Sequence, residues 1–131
     1  MLLKVLIVDT NILLRFLLND VPKQTEEAKL KIEQAKAGKL KLVVPQIVIF
    51  EIIFALTKIY GFEKNKVIDV IRVLINSDYL EVESRDILYV ALDLFRLSAI
   101  SFVDCFIASY AKSRNVEVLT FDKDLNKLSK S

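Results

Sequence analysis

The sequence predicts an α/β fold built on a parallel sheet that is covered by helices on both faces. Short apolar segments with the character of buried strands alternate along the chain with longer helical segments. Hydrophobic residues make up 53% of the 131 residues, which is enough for one sizeable core. Two glycines and two prolines leave little room for linkers. A single domain over residues 1–131 is therefore predicted.

The first strand and the first helix follow from residues 3–18. Leu3–Val8 is short and rich in β-branched residues, which predicts a fully buried strand. Thr10–Leu18 repeats apolar side chains at helical spacing, which predicts a helix with one apolar face made of Ile12, Leu13, Phe16 and Leu17.

The next elements are delimited by glycine and proline. A charged helix is predicted over Lys23–Ala37, because Gly38 is suited to cap its carboxyl end. Leu40–Val44 is predicted as the second strand. Pro45 suits the first turn of the following helix, which is expected to run to Tyr60.

The same alternation continues to the end of the chain, without an internal repeat or a low-complexity tract. The predicted elements are a helix over Lys64–Asn76, a strand over Tyr79–Val82, a helix capped by Ser84 and running to Leu97, a helix over Phe102–Ser113, a strand over Glu117–Thr120 and a helix over Lys123–Leu128.

Composition excludes several kinds of active site. There is no histidine, so Ser-His-Asp and Cys-His catalysis and all imidazole metal sites are excluded. The one cysteine, Cys105, cannot form a thiolate zinc site. The apolar run at the amino terminus is too short for a signal peptide, and no apolar stretch reaches the ~18 residues of a membrane span. We therefore expect a cytoplasmic protein without a membrane partner.

Four acidic residues stand out by their positions. Asp9 and Asp122 each lie just past the carboxyl end of a predicted strand, and Asp104 lies in the first turn of a predicted helix. Ligands of parallel α/β folds bind at the carboxyl ends of the strands. Glu51 lies in a wholly apolar stretch, with no cationic side chain within six positions on either side. Four converging carboxylates without a matching cation predict a bound divalent metal ion.

A structural role is the alternative for three of these acids. Asp9 and Asp122 could each cap the helix that follows, and Ser101 with Asp104 fits a capping box. Glu51 has no capping role in the middle of a helix. The cost of an unpaired buried charge favours a functional role for it.

Four motifs in order resemble the PIN domain, in particular the small VapC-type toxins of toxin–antitoxin pairs, over the whole length of the chain. They are Val8-Asp9-Thr10-Asn11 after a strand, Glu51 in the helix after Val44-Pro45, Ser101-Phe102-Val103-Asp104 opening a helix, and Leu119-Thr120-Phe121-Asp122. The resemblance implies a three-layer α/β/α sandwich with a central, mostly parallel sheet. It also implies a metal-dependent endoribonuclease.

By resemblance, Asp9, Glu51, Asp104 and Asp122 form the catalytic and metal-binding quartet, with Asp124 as a nearby acid. Mg²⁺ or Mn²⁺ is the expected cofactor, because these hard cations prefer oxygen ligands. We expect Asp9 and Asp104 to bind the metal directly and Glu51 to bind it or to orient the attacking water. Asp122 is expected to act through a bridging water or a second ion.

Two polar residues complete this expected site. Asn11 and Thr120 match positions that support the acids, and both are expected to hydrogen-bond the carboxylates.

Three other protein classes are rivals to this interpretation. A response-regulator receiver requires paired acids after its first strand, whereas Thr10 follows Asp9; a haloacid-type phosphatase requires a second Asp where Asn11 stands. A non-catalytic module that binds RNA or a metal is the stronger rival, and mutation of Glu51 distinguishes loss of cleavage from loss of binding.

The predicted partners are RNA as substrate, a second copy of the chain and an antitoxin protein. The helices over residues 45–60 and 64–76 carry apolar side chains on more than one face, which predicts a homodimer through them. The antitoxin is expected to lie over the acidic cleft and to offer it a basic side chain.

Overall fold

A computed structural model describes residues 3–131, and the chain divides after Glu83 into two compact units. The first unit, residues 3–83, holds the strands and the first four helices. Its elements are β1 (Lys4–Ile7), α1 (Thr10–Leu18), α2 (Pro22–Lys36), β2 (Leu40–Val44), α3 (Gln46–Phe54) with a π-helical turn (Ala55–Ile59), α4 (Lys64–Asn76) and β3 (Leu80–Val82). The second unit, Ser84–Ser131, consists of α5 (Arg85–Leu97), α6 (Phe102–Arg114) and α7 (Lys123–Lys130).

The sheet of the first unit is parallel, with the strand order β1-β2-β3. Lys4 pairs with Leu40 at one end of the β1–β2 ladder, and Ile7 pairs with Val43 at the other. The carboxyl ends of the strands therefore lie at one edge, where α1 and α3 begin. The predicted α/β class with a parallel sheet is confirmed.

The prediction that Leu3–Val8 is a fully buried strand is wrong. Residues 4–7 do form a strand, but it lies at an edge of the sheet, and one of its two faces is exposed. Val8 is buried, whereas Leu3, Val5 and Ile7 share the opposite face and are exposed, Ile7 to 75%. A run of β-branched residues indicates a strand, but it does not specify whether a second layer covers each face.

The core of the first unit is formed by the inner faces of its helices and by the sheet. Its fully buried side chains include Leu13, Ile32, Val44, Ile49, Ile52, Leu56, Ile68, Ile71, Ile75 and Leu80. In α3 the buried positions are Val48, Ile49, Ile52 and Ile53, so this helix is anchored along most of one side. That anchoring fixes the direction in which the remaining side of α3 presents Glu51.

The second unit is a small helical assembly with its own core. Leu88, Ala91 and Leu92 of α5 are completely buried, as are Cys105 and Ala108 of α6. Phe95 and Phe102 pack edge to face with their ring centroids 5.6 Å apart. Leu125 is the buried anchor of α7.

The predicted strand over Glu117–Thr120 does not form. Residues 116–120 are neither strand nor helix, and the side chain of Leu119 is fully exposed. Strand-forming side chains are not sufficient, because an isolated strand gains no ladder hydrogen bonds until a neighbouring strand pairs with it. In the described part of the chain the sheet has three strands.

The predicted helices are all present, with ends that differ by at most a few residues. Gly38 follows the end of α2 at φ 75°, and its N–H donates to the carbonyl of Ala35, as expected for a helix-terminating glycine. The predicted cap by Ser84 is wrong: α5 begins at Arg85, but Ser84 adopts a left-handed conformation and its side chain makes no capping hydrogen bond. No helix in residues 3–131 is both long and apolar enough to cross a membrane.

The orientation of α3 provides a stability test with a matched control. Ile49 is 0% exposed and Ile47, on the same helix, is 58% exposed. We expect Ile49→Ala to lower the free energy of unfolding by about 2–5 kcal/mol through the cavity it leaves. At a concentration low enough to keep the chain monomeric, Ile47→Ala should change it by about 0.5 kcal/mol or less. Urea denaturation followed by circular dichroism measures both values, and equal losses would contradict the observed orientation of α3.

Candidate functional site

Asp9 lies between the end of β1 and the start of α1. It has an extended backbone and acts as the N-cap of α1, with its Oδ1 accepting a hydrogen bond of 2.8 Å from the Thr10 N–H. The capping interpretation of Asp9 is therefore confirmed. Its side chain is exposed, and its Oδ2 makes no hydrogen bond within residues 3–131. The cap leaves one carboxylate oxygen available to a ligand.

Thr10 connects Asp9 to Glu51. The Thr10 side chain is buried, and its Oγ1 donates a hydrogen bond of 3.0 Å to Oε1 of Glu51. Its backbone N–H bonds to Asp9 at the same time. One residue thus holds two of the predicted acids, although they are 42 positions apart in the sequence.

The role of Thr10 was not predicted from the sequence. The available signal was a hydroxyl at the start of an otherwise apolar helix face, directly after Asp9. Asn11, which was predicted to support the acids, is exposed on the first turn of α1. Its amide has no hydrogen-bond partner in the described structure. The support for these two carboxylates comes from Thr10.

Glu51 is exposed on α3, so the argument from the cost of a buried charge is wrong. Its neighbours Ile52 and Ile53 are buried, but Glu51 lies on the opposite side of the helix, together with the exposed Ile47 and Phe54. These two residues are one turn before and one turn after it. The apolar sequence around Glu51 therefore reflects two different surfaces: a buried face, and an exposed apolar stripe that contains the carboxylate.

Asp104 is in the first turn of α6. The Ser101 Oγ caps this helix by accepting a hydrogen bond of 3.2 Å from the Asp104 N–H, as the predicted capping box requires of the serine. The contact involves the Asp104 backbone, and the carboxylate is only half-buried. Negative charge in the first turn is also stabilised by the helix dipole.

Asp122 caps α7 in the predicted way. Its Oδ1 accepts a hydrogen bond of 3.0 Å from the Leu125 N–H. Thr120 Oγ1 in turn accepts from the Asp122 N–H at 3.0 Å. Thr120 therefore orients Asp122 through its backbone, whereas a contact with the carboxylate was predicted.

Asp104 and Asp122 line the same cavity of the second unit. Its volume is about 530 Å³, and Asp124 and Lys127 of α7 also line it. The other lining residues are Ser98, Ala99, Ile100, Ser101, Leu128 and Ser131. Two of the predicted acids thus face one space of a size that accommodates a nucleotide-sized group.

The donors of both units suit a hard divalent cation. They are carboxylate and hydroxyl oxygens, without the imidazole or paired thiolates that softer metals prefer. Among residues 3–131, no three Asp, Glu or Cys side chains are close enough together to hold one ion. The structure brings the acids together in pairs, Asp9 with Glu51 and Asp104 with Asp122. Binding by all four remains a prediction.

The chain is similar to known proteins over almost all of its length. The chain is 28% identical over 123 residues to a protein named VapC ribonuclease from Aquifex aeolicus (strain VF5), an alignment that covers 93% of this chain and 90% of that protein. The sequence model of the PIN domain matches residues 6–131, which include all four predicted acids and the residues that hold them. The chain therefore belongs to the PIN-domain family.

Proposed function

We propose that this protein is an endoribonuclease that hydrolyses RNA phosphodiester bonds with the help of Mg²⁺ or Mn²⁺. The observation that carries the proposal is the pairing of acids in each unit, Asp9 with Glu51 through Thr10 and Asp104 with Asp122 on one cavity. The likeness to a protein named VapC ribonuclease supports RNA as the substrate. Cytoplasmic location and a single domain over residues 1–131 are part of the proposal.

Asp9, Glu51, Asp104 and Asp122 are the residues that would hold the cation. In Asp9, Glu51 and Asp122, one carboxylate oxygen accepts a hydrogen bond from the protein. These bonds fix the orientation of each group and leave the second oxygen for a ligand. When bound, the cation supplies activation of water near neutral pH and neutralisation of the charge on the phosphate.

The chain's own residues supply the positioning. Glu51 is held by the Thr10 hydroxyl, so it can accept a hydrogen bond from the attacking water without reorienting. Asp9 and Asp122 are fixed at helix amino termini, where each accepts a hydrogen bond from a backbone N–H. This arrangement requires no histidine base, in agreement with the composition.

We further propose that the protein is the toxin of a toxin–antitoxin pair and forms a homodimer through the helices over residues 45–60 and 64–76. Support for the dimer comes from apolar side chains that these helices leave exposed, which are Ile47, Phe54, Ile59 and Val73. The antitoxin would lie over the acids and offer them a basic side chain.

The first test concerns the acids in RNA cleavage. Asp104→Asn and Glu51→Gln should each lower kcat/KM by about 100-fold or more, since loss of a metal-binding group removes several kcal/mol of transition-state stabilisation. EDTA should abolish the wild-type activity. Asp86→Asn is the matched control, because Asp86 is also an acid in the first turn of a helix of the same unit. Cleavage that persists in either variant at the wild-type rate would exclude the assigned roles.

The same variants separate cleavage from binding. If the protein is an enzyme, Glu51→Gln should abolish RNA cleavage but should still bind a short RNA, as measured by fluorescence anisotropy. RNA binding by a wild-type protein that shows no cleavage at any Mg²⁺ or Mn²⁺ concentration would favour the non-catalytic module instead.

The second test measures metal binding through stability. A cation that binds only the folded chain raises the free energy of unfolding by about 2.7 kcal/mol at a concentration 100 times its Kd. We expect Mg²⁺ or Mn²⁺ to raise the Tm of the wild-type protein and of Asp86→Asn, and to have a much smaller effect on Asp104→Asn. Differential scanning fluorimetry with and without the ion measures this. Equal shifts in all three proteins would show that the ion binds elsewhere.

The third test concerns the dimer. Val73 is 69% exposed on α4, so Val73→Glu should leave the fold intact but should place a charge in the proposed interface. Light scattering at micromolar concentration is expected to give a dimer mass for the wild-type protein and a monomer mass for this variant. Val90→Glu, at an exposed position of α5, is the control and should remain dimeric. A monomeric wild-type protein would refute the proposed assembly.

A further inference from the structure

Among residues 3–131, Lys127 is the one cationic residue that lines the cavity of Asp104 and Asp122. The carboxylates that share this cavity are those of Asp104, Asp122 and Asp124. A cavity dominated by carboxylates repels a polyanion such as RNA, so substrate entry requires compensating positive charge. Part of that charge would come from a metal ion, and Lys127 is the only other source among the lining residues.

The Lys127 ammonium is not committed to a structural role. Asp124 is three residues earlier on α7, at a spacing where opposite charges often pair. Nevertheless, Lys127 forms neither an ion pair nor a hydrogen bond with any residue in the range 3–131. Its side chain is exposed, whereas Leu125 is buried and fixes α7 in the second unit. The α7 helix therefore presents a free ammonium group at the cavity.

We infer that Lys127 is a phosphate-binding residue that holds a phosphodiester of the RNA at this cavity. The inference rests on the proposed function and adds a residue that contacts the substrate. A lysine ammonium binds phosphate as a compact charge with three donors, and its flexible stem allows it to follow the backbone of a single strand. Because it contacts phosphate and not a base, Lys127 contributes to affinity for any RNA sequence.

The test compares Lys127→Gln with Lys130→Gln. Both lysines are in the last turn of α7, so both substitutions remove the same charge from the same end of the helix dipole, but Lys130 does not line the cavity. Lys127→Gln should raise KM for a single-stranded RNA by about three- to tenfold at roughly 50 mM salt, with a smaller effect on kcat. Its plot of log(kcat/KM) against log[salt] should be shallower than that of Lys130→Gln by about 0.7. Lys127→Arg should restore both values.

Two further measurements distinguish this role from a structural one. The rise in Tm caused by Mg²⁺ should be unchanged or larger in Lys127→Gln, because a positive charge beside the acids has been removed; a smaller rise would show that Lys127 instead supports the carboxylates. Binding of a labelled RNA in EDTA, followed by anisotropy, tests the phosphate contact without cleavage. A wild-type protein that does not cleave RNA would refute the proposed function, while weaker RNA binding by Lys127→Gln would still support the phosphate contact.

Equal KM, salt dependence and RNA affinity in Lys127→Gln and Lys130→Gln would overturn the inference.

Discussion

The parallel pairing of β1 with β2 is the constraint on which the first half of the site depends. The register that joins Lys4 to Leu40 and Ile7 to Val43 ends both strands at the same edge of the sheet. The helices that follow, α1 and α3, therefore begin side by side, and Thr10 at the start of α1 reaches Glu51 of α3. A shift of one residue in this register would turn β1 over and would move Thr10 away from Glu51.

Capping and function are compatible at the acids of this protein. A carboxylate has two oxygens, and a helix cap occupies one of them. Asp9 and Asp122 each use Oδ1 to accept a hydrogen bond from a backbone N–H, which orients the carboxylate. Asp104 differs, because the Ser101 side chain caps α6 in its place. The cap therefore uses neither oxygen of the Asp104 carboxylate, and Asp104 lines the cavity. A helix cap at such a position is therefore weak evidence against a functional role.

The exposed apolar residues of the first unit have a different origin from its core. Ile49 and Ile52 are buried because they project from the inner side of α3, while Ile47 and Phe54 project from the outer side beside Glu51. The proposed dimer depends on the exposure of Ile47 and Phe54. The same exposed side of α3 carries Glu51, whose carboxylate accepts the hydrogen bond from Thr10.

The sequence by itself determined the order of the helices and of the first three strands, and the positions of the acids, because these depend on local signals. Periodicity placed the helices, Gly38 ended α2, and the acids followed the apolar segments at recognisable positions. The exposed face of β1 and the absence of a strand at Glu117–Thr120 were decided by tertiary structure, since strand burial and strand pairing depend on distant neighbours. The same applies to the exposure of Glu51, to its bond with Thr10 and to the cavity that Lys127 shares with Asp104 and Asp122. These features join residues far apart in the sequence, and only the packing of the helices brings them into contact.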